Sequence, residues 1–380
     1  MRVAYILPIS WGGIPHYTAE LANAVSKLGI EVTVVKPEDS NTRLFSEKVN
    51  VIEAFKPITF SKKNVFSAFS ISNVKNFISF KNLYILNELK PDIIHIPEVY
   101  FHLSLSYYLN KLDVSCPTIC TYHNTFSLRQ LLFNNVMKSK IYGIIAAINE
   151  VSKRLINPDG VIVHTILNKQ ILIRRGFNEK KIFIIPHGSF SLFKRERDIQ
   201  EKEGNVVLFF GYLLKNKGVE YLIKAGEIAS NQIPNLKIII AGEGKLPRIR
   251  VNNEVFEVHN YYIPNDLVYE LFTRAKVVVL PYIFHQGHSG VLNIALAFGR
   301  PIIATDVGDL PNLVTNMREG IIVPPKNPEA LADAIVELME NCVLRRKMGK
   351  NAYIKSLNLS WINIGKKHLE VYKSILGGNS

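Results

Sequence analysis

Between Val277 and Val314 the chain reads VVVLPYIFHQGHSGVLNIALAFGRPIIATDVGDLPNLV, and its polar residues stand where an anion could be held. Val277 to Leu280 and Pro301 to Thr305 are continuous apolar runs, too short for helices and too uniform for a sheet wetted on one face. They read as buried parallel strands. Ser289 and Gly290 open a short apolar helix that ends near Phe298. The first-turn amides of such a helix, those of Gly290 and Val291, have no partner within it, and with the Ser289 hydroxyl they suit a phosphate.

A fixed cation would answer that phosphate. The run NVVLFFGYLLKNKGVEYLIKA ends a strand at Gly211 and starts the next helix near Lys217 and Gly218. Lys217 reads as an anion ligand, or as one solvated lysine among Lys215 and Lys224. LKIIIAGEG ends a further strand in Gly242, Glu243 and Gly244, a turn that admits close backbone approach. In VHNYYIPNDLVYELFTRA, Tyr262 either stacks on a base or packs, beside Ile263, and Asp266 suits a helix cap. In the first half, WGGIPHYTAELANAVSKLG follows the first strand, with an amphipathic helix from Thr18 to Leu28. Gly12 and Gly13 there serve a phosphate or acceptor, or make a plain tight turn. TICTYHNT puts His123 at the end of an inner strand, where it caps the sheet or faces a ligand. VIVHT and IFIIPHG deliver His164 and His187 just past strands, as structural or supporting residues.

Strand-like runs alternate with helical periods throughout, which predicts an α/β chain of doubly wound parallel sheets. Candidate strands are Arg2 to Pro8, Glu31 to Val35, Asp92 to Ile96, Thr118 to Tyr122, Gly160 to His164 and Lys181 to Pro186, with a second series from Asn205. A length of 380 residues suits two cores rather than one. The expected division is a domain over 1–190, a linker over 191–204 and a second domain over 205–359. The linker lies in the charged, aperiodic stretch SFSLFKRERDIQEKEG. The tail 360–380 carries Ile362, Leu369, Val371, Tyr372 and Ile375 at helical spacings and so must cover something.

A formal charge of +14 favours anionic partners: nucleotide phosphates, an anionic membrane surface or nucleic acid. Phe60 to Lys90 interleaves Lys62, Lys63, Lys75, Lys81 and Lys90 with Phe66, Phe69, Phe77 and Phe80, which fits either lipid headgroups or a helix buried on one face. No recognised module accompanies the charge, which disfavours nucleic acid. Three cysteines form neither a disulfide framework nor a metal-ligand spacing. With no secretion signal and no long apolar run, a cytoplasmic location is expected, peripheral membrane contact being left open.

Over nearly its full length the chain resembles the family 4 retaining glycosyltransferases, most specifically in the strand-glycine-lysine run at Lys217 and in AFGRPIIATDVG. The resemblance implies a GT-B fold, two Rossmann-like domains facing across a cleft. It implies transfer of a hexosyl unit, with retained configuration and no required metal, from a UDP- or GDP-linked sugar to a glycan or lipid-linked acceptor in cell-surface polysaccharide or glycolipid synthesis. It places Gly12 and Gly13 against donor phosphate and acceptor, His123 beside the anomeric carbon, Lys217 and the residue after Gly211 at the diphosphate, Gly242 in a close-approach turn of the nucleotide-sugar site, and Tyr262 and Ile263 at the base. Trp361 leads a helix that returns to the first domain. Three positions depart from the family. Tyr212 stands for an arginine, and Gln286 and Ile294 stand for a pair of glutamates. Gln286 retains hydrogen-bonding capacity towards a sugar without charge, whereas Ile294 binds no ribose diol. Those departures motivate an alternative, a non-catalytic scaffold or partner subunit. A nicotinamide oxidoreductase would need a dinucleotide fingerprint that the sequence lacks.

Overall fold

The structure is a computed structural model that describes residues 1–10, 13–38, 42–56, 78–98, 102–113, 115–123, 125, 156–190, 203–247, 252–285 and 288–377. Gly12, Gln286, most of the linker and the greater part of the basic stretch lie outside the described residues. The chain forms two units, Met1–Pro186 with Trp361–Ser380, and His187–Ser360.

In the first unit seven strands make one parallel sheet: β1 (Arg2–Ile6), β2 (Glu31–Pro37), β3 (Val49–Phe55), β4 (Ile93–Ile96), β5 (Thr118–Tyr122), β6 (Gly160–Val163) and β7 (Ile182–Ile184). Their spatial order is β3-β2-β1-β4-β5-β6-β7. Val3 pairs with Val32 on one side and Ile93 on the other, so strand order reverses at β1. The inner strands β4 and β6 are buried along their whole length, β6 with a uniformly apolar sequence and β4 with His95 as its one polar side chain. The helix after β1 spans Ile14–Lys27, starting ahead of the expected Thr18 because Pro15 fits its first turn.

The Trp361–Gly377 helix packs on the Ile14–Lys27 helix. A Cβ on Gly365 would lie 3.3 Å from the Ala24 methyl, so a small residue permits that close crossing. Beneath it the Tyr372 hydroxyl meets the Tyr5 hydroxyl at 3.0 Å and His95 Nδ1 at 2.5 Å, all three side chains being buried. Tyr372→Phe therefore strands two buried polar groups. It should lower unfolding stability by about 1–3 kcal/mol in urea titration.

The second unit holds β8 (Asn205–Phe210), β9 (Leu236–Ala241), β10 (Phe256–His259), β11 (Val277–Leu280), β12 (Ile302–Thr305) and β13 (Gly320–Val323). They are parallel in the order β10-β9-β8-β11-β12-β13, with the reversal between β8 and β11. In open sheets of this kind, ligands bind beyond the carboxyl ends of the strands at that reversal. The unit begins at His187. Asn293 Nδ2 donates to the Gly188 carbonyl at 2.9 Å, and Ser189 N–H donates to the Leu359 carbonyl at 2.9 Å, which ties residues 188 and 189 to this unit.

Candidate functional site

The loops leaving β8, β9 and β11 in the second unit are locked together by backbone contact. Gly211 N–H donates to the Ala241 carbonyl at 2.9 Å, and Ile283 N–H to the Asn216 carbonyl at 3.0 Å. At Gly218, with φ +67°, a Cβ would fall 1.8 Å from the Pro281 carbonyl oxygen. At Gly242, with φ +149°, it would fall 1.9 Å from the Gly211 oxygen. Only glycine admits these approaches.

On this frame a 3-10 turn, Lys215–Lys217, presents Lys217, and Gly218 then turns the chain into the Val219–Ser230 helix. The Lys217 ammonium lies 3.6 Å from the centroid of the Tyr282 ring. The Tyr282 hydroxyl is 3.5 Å from Ser289 Oγ. Ser289 caps the Gly290–Ala297 helix by accepting from Leu292 N–H. The amides of Gly290 and Val291 open that helix and stay available by its geometry. A cation, a hydroxyl and a helix start thus converge through one buried tyrosine, a constellation suited to phosphate. Sequence reasoning placed Lys217, Ser289, Gly290 and Val291 here and missed Tyr282.

Other assigned residues fall nearby or elsewhere. Ile294 is buried in the Gly290–Ala297 helix. Ile263 is buried, whereas Tyr262 is exposed. Partial burial, and after it the phenol of Tyr212, raise the Tyr262 phenol above its ordinary value. The loop carrying Tyr262 is braced from β10: Arg274 clasps Glu257 at 2.9 and 2.7 Å, Glu257 holds His259 at 2.7 Å, and His259 meets the Tyr261 hydroxyl at 3.1 Å. The Arg274 bonds, followed by those of His259, hold the Glu257 carboxyl down at about 2. His187 is supporting, with its ring stacked on His288 at 4.9 Å and its Nδ1 2.9 Å from Asn293 Nδ2.

In the first unit, His123 lies just past β5 and is buried. Its backbone N–H donates to Glu98 Oε2 at 3.3 Å, its Nε2 lies 3.0 Å from the Pro97 carbonyl, and its Nδ1 lies 2.9 Å from His164 Nε2. His164 Nδ1 lies 2.9 Å from the Ile185 carbonyl. The Tyr17 ring meets His123 edge-on at 4.4 Å. Both ring nitrogens of His123 are thus committed inside the unit. The carbonyls at either end each demand an N–H, so two neutral rings supply two hydrogens for three contacts. A third proton would bury a charge, and burial holds His164 down at about 4. Gly13 has φ −82°, and a Cβ there would meet nothing within 4 Å among the described residues, so its backbone conformation does not require glycine.

Burial likewise holds His368 at about 4. The unfolded chain takes up these protons from about pH 6.5 downward while the folded chain resists until about pH 4. Stability contributed by these groups is therefore full above pH 6.5 and lost as pH falls toward 4, by about 1.4 kcal/mol per pH unit for each histidine. Denaturant melts across that range would show the slope, and His368→Gln should remove that histidine's share of it while His164 keeps its own.

Among the described residues no group of three or more His, Cys, Asp or Glu is placed to hold a metal ion, and no helix is long and apolar enough to cross a membrane. Two doubly wound parallel units of this strand order define a GT-B protein. Solved structures share the fold. Sucrose-phosphate synthase from Thermosynechococcus elongatus superposes with a TM-score of 0.74 at 19% identity, covering 100% of both chains. The HepE protein of Anabaena in complex with UDP and glucose gives 0.69 at 17% identity, covering 98% of this chain and 100% of that one. Residues 204–341 match the family described as Glycosyl transferases group 1, and residues 11–189 match Glycosyltransferase Family 4. The chain belongs to this family of glycosyltransferases. An uncharacterized glycosyltransferase of Methanocaldococcus jannaschii is 31% identical over 195 residues, 48% of this chain and 47% of that protein, so this match spans about half the relative's length.

Proposed function

We propose that the chain is a retaining glycosyltransferase that moves a hexosyl unit from a nucleoside diphosphate sugar to a hydroxyl of a glycan or lipid-linked acceptor. The convergence of Lys217, Tyr282 and the Ser289-capped helix start at the strand reversal of the second unit carries this reading. The UDP bound to the structurally similar Anabaena protein supports it.

In this reading the second unit holds the diphosphate. As the bond from the anomeric carbon to phosphate oxygen breaks, Lys217 and the amides of Gly290 and Val291 meet the growing charge. The acceptor oxygen bonds to the anomeric carbon on the face the phosphate leaves, and its proton passes to a donor phosphate oxygen. The His123 carbonyl orients the sugar, and Gly13 leaves room for donor or acceptor.

A thermal-shift screen across UDP- and GDP-linked sugars tests this, because a ligand of the folded state raises the melting temperature by mass action. A rise with one donor, followed by release of its nucleoside diphosphate when acceptor is added, supports transfer. The buried Ile294 and the tyrosine at position 212 favour a second reading, a GT-B scaffold without catalysis. No rise with any donor and no binding of UDP or GDP at millimolar concentration would select that scaffold.

A further inference from the structure

We infer that Tyr282 is a positioning residue of the diphosphate site, its ring holding the Lys217 ammonium beside the Ser289-capped helix start, so that cation and helix start face one anion. The inference rests on the donor reading above. A buried tyrosine ordinarily fills a core, but this one is held at its ring, its hydroxyl and its backbone. Its ring lies under the ammonium at 3.6 Å, its hydroxyl is 3.5 Å from Ser289 Oγ, and its carbonyl accepts from Thr305 Oγ1 at 2.5 Å. Asn216, next to Lys217, accepts from Ile283 N–H and donates its side-chain amide to the Phe284 carbonyl at 3.3 Å. The lysine turn and the tyrosine loop are consequently one piece.

The negative face of an aromatic ring holds an ammonium most strongly where water is scarce. Tyr282 is fully buried and Lys217 half-buried, so the ring forms a floor of low dielectric under the charge. An ammonium carries three N–H groups, and one turned to the ring leaves others for phosphate oxygens. Position 212 carries tyrosine instead of a guanidinium, so this lysine meets the diphosphate without that second fork. Holding it in place then matters more.

The test is a double-mutant cycle read by calorimetry with UDP and GDP on the full chain. Tyr282→Phe, which keeps the ring, should bind the preferred nucleotide within about threefold of the parent, and Tyr282→Leu should bind roughly 3- to 30-fold more weakly. In a Lys217→Met background, Tyr282→Leu should change affinity by less than about twofold. Stepwise fluorination of a phenylalanine at position 282 keeps shape and fold while draining the ring face, and affinity should fall with each fluorine. Equal loss in both backgrounds, unchanged binding by Tyr282→Leu, or a flat fluorination series would overturn the inference alone. Absence of UDP and GDP binding by the parent protein would instead overturn the donor reading, and this inference with it.

Discussion

Lys217→Ala is expected to lower turnover by roughly one to three decades at saturating donor, with a smaller change in the Michaelis constant. The asymmetry follows from when the charge grows. A nucleoside diphosphate sugar already carries two negative charges in its ground state, and Lys217 contributes to holding them. Breaking the glycosidic bond adds a further charge to the leaving oxygen, and a fixed ammonium near it stabilises the transition state more than the ground state. Its placement over a buried ring, and not in bulk water, is what makes that difference large. Steady-state kinetics with a donor identified by the thermal-shift screen give both constants. An unchanged rate at saturating donor would remove Lys217 from the mechanism.

The second large effect concerns backbone. Gly242→Ala places a methyl 1.9 Å from the Gly211 oxygen at φ +149°, where L residues are strained. Neither loop can yield alone, since Gly211 N–H is bonded to the Ala241 carbonyl and Gly242 N–H to the His259 carbonyl, each at 2.9 Å. A loss of about 4 kcal/mol or more in urea-unfolding stability is expected. Gly13→Ala is the matched control, because its Cβ meets nothing within 4 Å and its φ is ordinary. It should stay within about 0.5 kcal/mol of the parent. If it nevertheless slows transfer, Gly13 is glycine for a ligand and not for the turn.

The parallel architecture was legible because buried inner strands leave a plain mark, short runs of Val, Ile and Leu such as Val277–Leu280 and Ile302–Thr305. β3 left no such mark. Its sequence, VNVIEAF, belongs to the edge of the sheet, where Asn50 is exposed and Glu53 reaches the Lys36 ammonium at 2.6 Å. The helix start at Ser289 was legible from a hydroxyl and a glycine before an apolar run, a local signal. Tyr282 was not. One tyrosine beside a proline carries no periodicity, and its meaning depends on a lysine 65 residues earlier. The His123–His164 line and the clasp of Asn293 on Gly188 likewise join residues 41 and 105 apart. Spacing along one chain says nothing of such meetings; strand order brings them about.

Phosphorus NMR of UDP and GDP in the presence of the full chain tests the diphosphate site most directly. One nucleotide should show a saturable shift of its β-phosphate resonance, largely lost with Lys217→Ala and retained with Lys224→Ala, an exposed lysine of the Val219–Ser230 helix. Resonances that stay at their free positions for both nucleotides at millimolar protein would contradict a phosphate site at the second sheet's strand reversal.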